Sequence, residues 1–406
     1  NKTDMDALSD NIIEVSEKYG LPLDPKRLVH SLPVGLRQRV EIVRCLIQKP
    51  KLLIMDEPTS VLTPQAVRKM FKTLRKLSQE GCSILYISHK LDEIQELCHK
   101  ATIIRAGKVT GYALPANETP SSLARMMIGK ELPVCTQDNP ELNGEKCLEV
   151  FNLSKPKSDQ FGTDLNNINF SVDSGEILGI AGISGNGQRE LINVVIGEWQ
   201  TRNPEDIMMH GEAIGHLDPG KRRKMGLGFV PEDRLGRGAV PGMNLMYNYL
   251  LTTHRHNLVK TGLIRFKKTS ELTKECIASF DVKCGGIDDQ ITSLSGGNVQ
   301  KFITGREILQ EPDLIVASQP TWGVDVGAAN VIRQSIINLR NKGTAVMVVS
   351  EELDELFEIC DRLMVIAEGH LSPSLNVCDT TKEEIGIWMS GMFPGGPVES
   401  THRSGE

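Results

Sequence analysis

Short apolar runs alternate with longer mixed stretches along this chain. Leu52-Leu53-Ile54-Met55 and Ser83-Ile84-Leu85-Tyr86-Ile87 lie in its first part, and Leu314-Ile315-Val316-Ala317 and Ala345-Val346-Met347-Val348-Val349 in its last. Continuous apolar runs of this length, separated by helix-like segments, predict buried parallel strands of an α/β sheet. Ligand chemistry on such sheets gathers at the C-terminal ends of the strands.

The two pairs of runs are one pattern used twice. Shifting the chain by 262 residues lays Ser31 on Ser293, Gly35 on Gly297, Gln38 on Gln300, Arg44 on Arg306, Pro58-Thr59 on Pro320-Thr321 and Leu91-Asp92-Glu93 on Leu353-Asp354-Glu355. A register kept over about 75 positions without a gap means duplicated domains rather than a solenoid. Residues 147–262 have no counterpart in the first copy, and they hold an apolar strand, a glycine loop and a helix start at 175–191. The first copy therefore lacks the equivalent of that loop. The expected organisation is 1–115 as the C-terminal part of a first domain, 116–146 as a Pro-punctuated linker, 147–395 as a second domain and 396–406 as a tail.

Composition narrows the class without changing this picture. The 406 residues exceed one hydrophobic core, and a net charge of -6 leaves no nucleic-acid footprint. No stretch approaches the roughly 18 to 20 apolar residues of a membrane span, so any membrane role is expected through partners. Nine cysteines without C-x-x-C pairs predict reduced, buried thiols. Residue 1 is Asn, so the chain is expected to begin inside something longer or after processing. The basic run Lys221-Arg222-Arg223-Lys224 reads as a solvated helix face.

The chemistry sits at the strand ends. Asp56-Glu57-Pro58-Thr59 follows the first run, and His89 follows the second in Ser88-His89-Lys90. An Asp there can hold Mg²⁺ and the adjacent Glu can polarise an attacking water. The second copy keeps the frame and changes the reactive groups: Ser318 stands at the place of Asp56, Gln319 at that of Glu57 and Glu351 at that of His89. Its loop, Gly182-Ile183-Ser184-Gly185-Asn186-Gly187-Gln188-Arg189, has G-x-x-x-x-G spacing, with Gln188 and Arg189 where a phosphate-binding loop carries Lys and Ser/Thr. Glycines and backbone N–H groups remain, so nucleotide binding with little hydrolysis is expected. Ser295-Gly296-Gly297-Asn298-Val299-Gln300 offers a hydroxyl and successive N–H groups at a helix start. Its counterpart, with Pro33-Val34-Gly35, should bind phosphate poorly.

In order and spacing these motifs resemble the ABC transporter family, and within it the tandem ATP-binding subunits of simple-sugar and nucleoside importers. Pro231-Glu232-Asp233-Arg234 at the Q-loop place and the Asn186-Gly187-Gln188 loop end fit that subgroup. The resemblance implies two tandem P-loop NTPase domains of α/β class, the first lacking its N-terminal P-loop part. It implies ATP and Mg²⁺ as ligands, with Glu57 and His89 catalytic and Asp56 on the metal. Ser295, Gly296, Gly297, Asn298, Gln300, Gly182, Ser184, Gly185, Asn186, Gly187, Gln188 and Arg189 are the implied ATP-binding residues. One composite site would pair Asp56, Glu57 and His89 with the Ser295 signature, and a second, degenerate one would pair the 182–189 loop and Ser318-Gln319 with Pro33-Val34-Gly35. Transmembrane permease subunits are the implied partners, with a solute-binding protein engaged indirectly, at the cytoplasmic face of the cell membrane; Glu232-Asp233-Arg234 would lie near the permease contact. The alternatives are a catalytically impaired nucleotide-binding fragment or a soluble tandem ABC protein without a permease.

Overall fold

Leu52–Asp56 and Ser83–Ile87 run parallel, with Leu52 opposite Ser83 and Asp56 opposite Ile87. They belong to the first of two compact units, Asn1–Leu132 and Pro133–Glu406. The structure, a computed structural model, describes residues 4–29, 34–59, 64–105, 107–128, 144–157, 162–253, 258–260 and 262–397.

The first unit runs α1 (Met5–Lys18), α2 (Val34–Ile47), β1 (Leu52–Asp56), α3 (Pro64–Gln79), β2 (Ser83–Ile87), α4 (Leu91–Leu97), a hairpin of β3 (Ala101–Arg105) and β4 (Lys108–Ala113), and α5 (Pro120–Ile128). Asp4 caps α1 by accepting from the Asp6 and Ala7 amides. In α3 the buried Met70, Phe71, Leu74 and Leu77 fall on one helical stripe, which packs with Leu53 and Met55 of β1 and Ile42, Val43 and Leu46 of α2.

The expectation of fully buried strands is corrected here. Strand residues alternate between faces, and only the face carrying Leu53 and Met55 is covered. On the other face Leu52 is 56% exposed, Ile54 59%, Leu85 51% and Ile87 45%. The linker is also shorter at its front than the expected 116–146, because α5 packs on α4 and β3 and buries Leu123 and Ala124. Leu32-Pro33 of the first signature, most of the rest of the linker and the end of the tail lie outside the described residues.

The second unit opens with β5 (Lys146–Lys155), β6 (Leu165–Asp173), β7 (Ile177–Ala181), α6 (Gln188–Ile196), β8 (Ile207–Met209), β9 (Glu212–Ala213), α7 (Pro219–Lys224), β10 (Leu227–Val230) and α8 (Leu245–Leu250). It continues with β11 (Val259–Lys260), β12 (Leu263–Ile264), α9 (Phe266–Ser279), α10 (Gly296–Ile308), β13 (Leu314–Ser318), α11 (Val326–Asn341), β14 (Ala345–Ser350), α12 (Leu353–Ile359), β15 (Arg362–Ala367), β16 (His370–Leu371), β17 (Leu375–Asn376) and α13 (Lys382–Trp388). The main sheet has the order β10-β13-β14-β7-β15-β16, and its first five strands are parallel.

Both faces of this sheet are covered, which is why its strands read as unbroken apolar runs. Ile177, Ile315, Ala317, Val346, Val348 and Val365 join one core. Leu178, Ile180, Leu314, Val316, Met347 and Val349 join the other, with Leu191, Val194 and Val195 of α6. Leu314, Val316, Met347 and Val349 are the repeat equivalents of the bare Leu52, Ile54, Leu85 and Ile87. On this face of the second sheet α6 and the strands β5 and β6 form the cover.

Two composition-based expectations change. In α7 the run Lys221 to Lys224 is only half solvated: Arg222 is fully buried and donates to the Val194, Val195, Leu217 and Gly215 carbonyls, while Arg223 pairs with buried Glu307 at 2.7 Å. The carbonyls that end α6 need donors, and Arg222 supplies them. All eight described cysteines are free, but Cys378 is exposed and Cys45, Cys98 and Cys284 are half-buried.

Candidate functional site

In the first unit the C-terminal ends of β1 and β2 bring three of the expected residues together. Asp56 ends β1 with its side chain toward solvent. Glu57 follows with φ of 45°, an uncommon conformation for a residue with a side chain, and its N–H donates to the Ile87 carbonyl at 2.9 Å. That turn sets Glu57 Oε1 at 2.7 Å from His89 Nδ1 and 3.0 Å from the His89 amide nitrogen. Behind them Glu93 Oε2 accepts from Thr59 Oγ1 at 2.8 Å and from Tyr86 Oη at 2.6 Å. Burial and the Glu93 carboxylate push the Tyr86 phenol far above its ordinary value, so Tyr86 stays a donor.

The second unit repeats the backbone frame at the equivalent positions with different side chains. Gln319 has φ of 49°, its N–H donates to the Val349 carbonyl at 2.8 Å, and its Oε1 accepts from the Glu351 amide at 3.3 Å. Thr321 Oγ1 donates to Glu355 as Thr59 does to Glu93, whereas the second donor is Ser350, the counterpart of Ser88, because Val348 stands at the place of Tyr86. An amide and a carboxylate therefore stand where the first unit has a carboxylate and an imidazole. Gln319, a carboxamide, cannot take a proton from water.

The loop from Gly182 to Gln188 joins β7 to α6 between two parallel neighbours, β14 and β15. Gly182 leaves no room for a side chain: a Cβ would meet Gln188 Nε2 at 2.5 Å and the Ile366 carbonyl at 2.8 Å. Gly187 caps α6 at φ of 110°. Gln188 does not extend outward as the lysine of an active loop does. Its Nε2 donates to the Ile183 carbonyl at 2.7 Å and its Oε1 accepts from the Asn186 amide at 3.1 Å. Gln188 thus braces the loop. Thr163 Oγ1 donates to the Gly185 carbonyl, and the Gly369 amide donates to the Asn186 carbonyl. Arg189 is exposed, with its charge near Glu232.

Ser295 caps α10 with Gly296 exposed beside it, and Asn298 Nδ2 donates to Ser295 Oγ at 2.9 Å. Asn298 Oδ1 already accepts from the Lys283 amide at 2.9 Å, whereas Ser295 and Gly296 are open to a ligand. Gln300 is not: it is buried, donating to the Pro320 carbonyl at 3.0 Å, because one turn into α10 its position faces the core. Gln300 positions the Pro320-Thr321 turn. Arg234 lies over the signature, where a Cβ on Gly296 would meet its guanidinium at 2.5 Å, and it donates to the Trp322 carbonyl. The reading of the sequence did not give Arg234 this position, nor did it find Thr163, whose signal would have been only a Thr in a loop. The Thr59–Glu93 and Thr321–Glu355 pairs did leave a signal, since all four positions match across the repeat.

Among the described residues no His, Cys, Asp or Glu cluster has a preformed metal geometry. Asp56 alone presents a hard carboxylate oxygen to solvent at the strand end, the donor Mg²⁺ takes together with water and phosphate oxygens; Ser318, neutral and buried, offers no equivalent.

Residues 2–60 and 165–322 match the ABC transporter family. The nucleoside import ATP-binding protein NupA of Lactococcus lactis subsp. cremoris is 37% identical over 96% of this chain and 76% of its own length. The glucose import ATP-binding protein TsgD13 of Haloferax volcanii is 36% identical over 98% of this chain and 72% of its own. Among solved structures, the complex of archaeal ribosomal stalk protein aP1 with the archaeal ribosome recycling factor aABCE1 shares the fold at a TM-score of 0.65, with 19% identity over 92% of this chain and 70% of that one. The ATP-binding cassette MJ0796 bound to ADP and Pi shares it at 0.50, with 21% identity over 57% of this chain and 98% of that one. With this family match and these relatives, the chain belongs to the ABC transporter family as an ATP-binding subunit.

Proposed function

We propose that this chain couples ATP binding and hydrolysis to import of a simple sugar or nucleoside, with hydrolytic chemistry in the first unit and nucleotide holding in the second. The observation that carries the division is the pair of repeat-related frames, Glu57 with His89 in one and Gln319 with Glu351 in the other. In the first unit Glu57 accepts the proton of the attacking water, and His89, held to Glu57 Oε1 through both Nδ1 and its amide, fixes that carboxylate. Asp56 is the residue to hold Mg²⁺, which when bound neutralises phosphate charge. In the second unit the amides of the 182–187 loop and the α6 N-terminus hold phosphate without a base.

Permease subunits are the proposed membrane partners, at the cytoplasmic face, with a solute-binding protein delivering the solute to them. The import names of the relatives support this reading, and no described helix is long and apolar enough to cross a membrane. The test is transport and ATPase activity of this chain reconstituted with permease subunits in vesicles. Stimulated ATP hydrolysis that depends on Glu57 supports the reading; activity that survives Glu57→Gln and disappears with Gln319→Ala would place the chemistry in the wrong unit.

A further inference from the structure

One carboxylate oxygen in the first unit gathers the pieces of chain around Glu57 and His89. Pro58 follows Glu57 and has no N–H to donate, so the next donor along the chain comes from Thr59. Thr59 is buried, and its Oγ1 donates to Glu93 Oε2 at 2.8 Å. The same oxygen accepts from Tyr86 Oη at 2.6 Å, and the Tyr86 ring packs edge-on against buried Phe71 of α3, with centroids 6.3 Å apart. Glu93 itself lies in the first turn of α4. It thereby joins the turn that carries Glu57, the strand that leads to His89 and the helix that follows His89, through charge-assisted hydrogen bonds.

The second unit separates what this arrangement owes to the fold from what it owes to the chemistry. Thr321 donates to Glu355 there as well, at 2.6 Å, under a turn in which Gln319 has the same left-handed conformation as Glu57. Val348, however, stands at the place of Tyr86. The Thr–Glu link goes with the turn, and the tyrosine with the unit that has a carboxylate base. A left-handed residue with a side chain is unfavourable and persists only where its surroundings hold it. Before Glu57 the hold is its own N–H on the Ile87 carbonyl, and after it the hold is Thr59 on Glu93. We propose that Glu93 is a positioning residue for the general base: through Thr59 and Tyr86 its carboxylate locks the turn on which Glu57 stands against the strand and helix around His89, and so keeps the Glu57 carboxylate aimed at the attacking water. This rests on the reading that the first unit is the hydrolytic one.

The experiment is steady-state ATP hydrolysis by the full chain reconstituted with permease subunits in vesicles, with melting temperatures measured alongside. Thr59→Val keeps the shape and drops the hydroxyl, and should lower kcat about tenfold or more with KM for ATP within about twofold, since a small misplacement of a catalytic group is costly while the ATP contacts remain. Thr59→Ser restores the donor and should return kcat to within about twofold of wild type. Glu93→Ala releases both hydroxyls and should lose at least as much as Thr59→Val. Tyr86→Phe keeps the ring on Phe71 and should lose less, because Thr59 still reaches Glu93. On top of Glu57→Gln, Thr59→Val should cost nothing further, as expected of a group that acts through that base. Thr73→Val is the control: it deletes another buried threonine hydroxyl of the same unit, one that donates to the Tyr19 carbonyl at 2.6 Å, and should lower the melting temperature with kcat unchanged. A Thr59→Val variant that behaves as Thr73→Val does, or whose loss adds in full to that of Glu57→Gln, overturns the proposal and leaves the role of Glu57 intact. Wild-type hydrolysis that does not depend on Glu57 overturns both.

Discussion

Glu57 Oε1 lies 2.7 Å from His89 Nδ1 and 3.0 Å from the His89 amide nitrogen, so one carboxylate oxygen is fixed twice by the same residue. Fixing a base so that it needs no reorganisation is how general-base catalysis gains its usual factor of about 10² to 10⁴. Glu57→Gln should therefore lower kcat by about that factor with KM for ATP little changed. The substitution folds, because Gln319 occupies the matching place at φ of 49° against 45° for Glu57. His89→Ala removes one of the two holds and keeps the backbone one, so its loss should be smaller than that of Glu57→Gln. Steady-state ATPase kinetics of the reconstituted transporter check both, and a larger loss for His89→Ala would reverse the two roles.

The bare face of the first sheet makes a prediction by contrast with the second. Ile54 is 59% exposed, whereas its repeat equivalent Val316 is fully buried in the core that includes Leu191, Val194 and Val195 of α6. Ile54→Lys in this chain should leave the melting temperature within a few degrees of wild type and improve solubility, since apolar area is removed from water contact. Val316→Lys buries an unpaired ammonium and should cost on the order of 4 kcal/mol or more. Chemical denaturation followed by tryptophan fluorescence reports the second variant cleanly, because Trp199, Trp322 and Trp388 all lie in the second unit. Equal effects of the two substitutions would mean that the first face is covered in solution.

This contrast also marks what the sequence could and could not disclose. The repeat register placed all four strands, because apolar runs bounded by turns are local signals, and it placed Glu57, His89, Gln319 and Glu351 at equivalent points. It gave no warning that Leu52 and Ile54 would be exposed, since an apolar run reads alike whether or not a layer is present to cover it. Gln300, expected among the ATP-binding residues, faces the core, because a residue beside a signature motif can turn either way and only the rotation of α10 decides. Gln188 was placed correctly in the loop, but its inward turn depends on the Ile183 carbonyl and Asn186 amide, a tertiary detail of the bend. Arg222 was hidden in a basic run whose composition suggests solvent.

Glu355 carries a pH signature. It is fully buried, accepting from Thr321 and Ser350, and burial pushes its carboxyl up to about 7 despite the charge of Arg333. A carboxyl raised in the folded state binds its proton more tightly there than when unfolded. Its contribution to stability is therefore complete below the unfolded value of about 4.3 and is lost as pH rises through about 7. Across that window the wild type should lose on the order of 3 kcal/mol from this group, and Glu355→Gln should remove that slope. Urea denaturation at a series of pH values tests it, and an unchanged slope in the variant assigns the pH dependence elsewhere.

Arg222 links α7 to the end of α6 and so to the loop that opens that helix. Its guanidinium donates to Val194 at 2.7 Å, Val195 at 2.6 Å and Leu217 at 3.0 Å, entirely out of solvent, and burial lowers it to about 10, still charged at neutral pH. Arg222→Ala would leave the α6 carbonyls without donors and open a cavity, costing on the order of 3 kcal/mol. Arg222→Lys should not rescue it, because one ammonium cannot reach carbonyls spread over a planar fork. The same loss should loosen the N-terminal end of α6, so amide exchange at Gly187–Glu190 should quicken along with that at Val194–Gly197. Exchange confined to the C-terminal turn would show that α6 frays from one end and that the loop is held by Gln188, Thr163 and Gly369 alone.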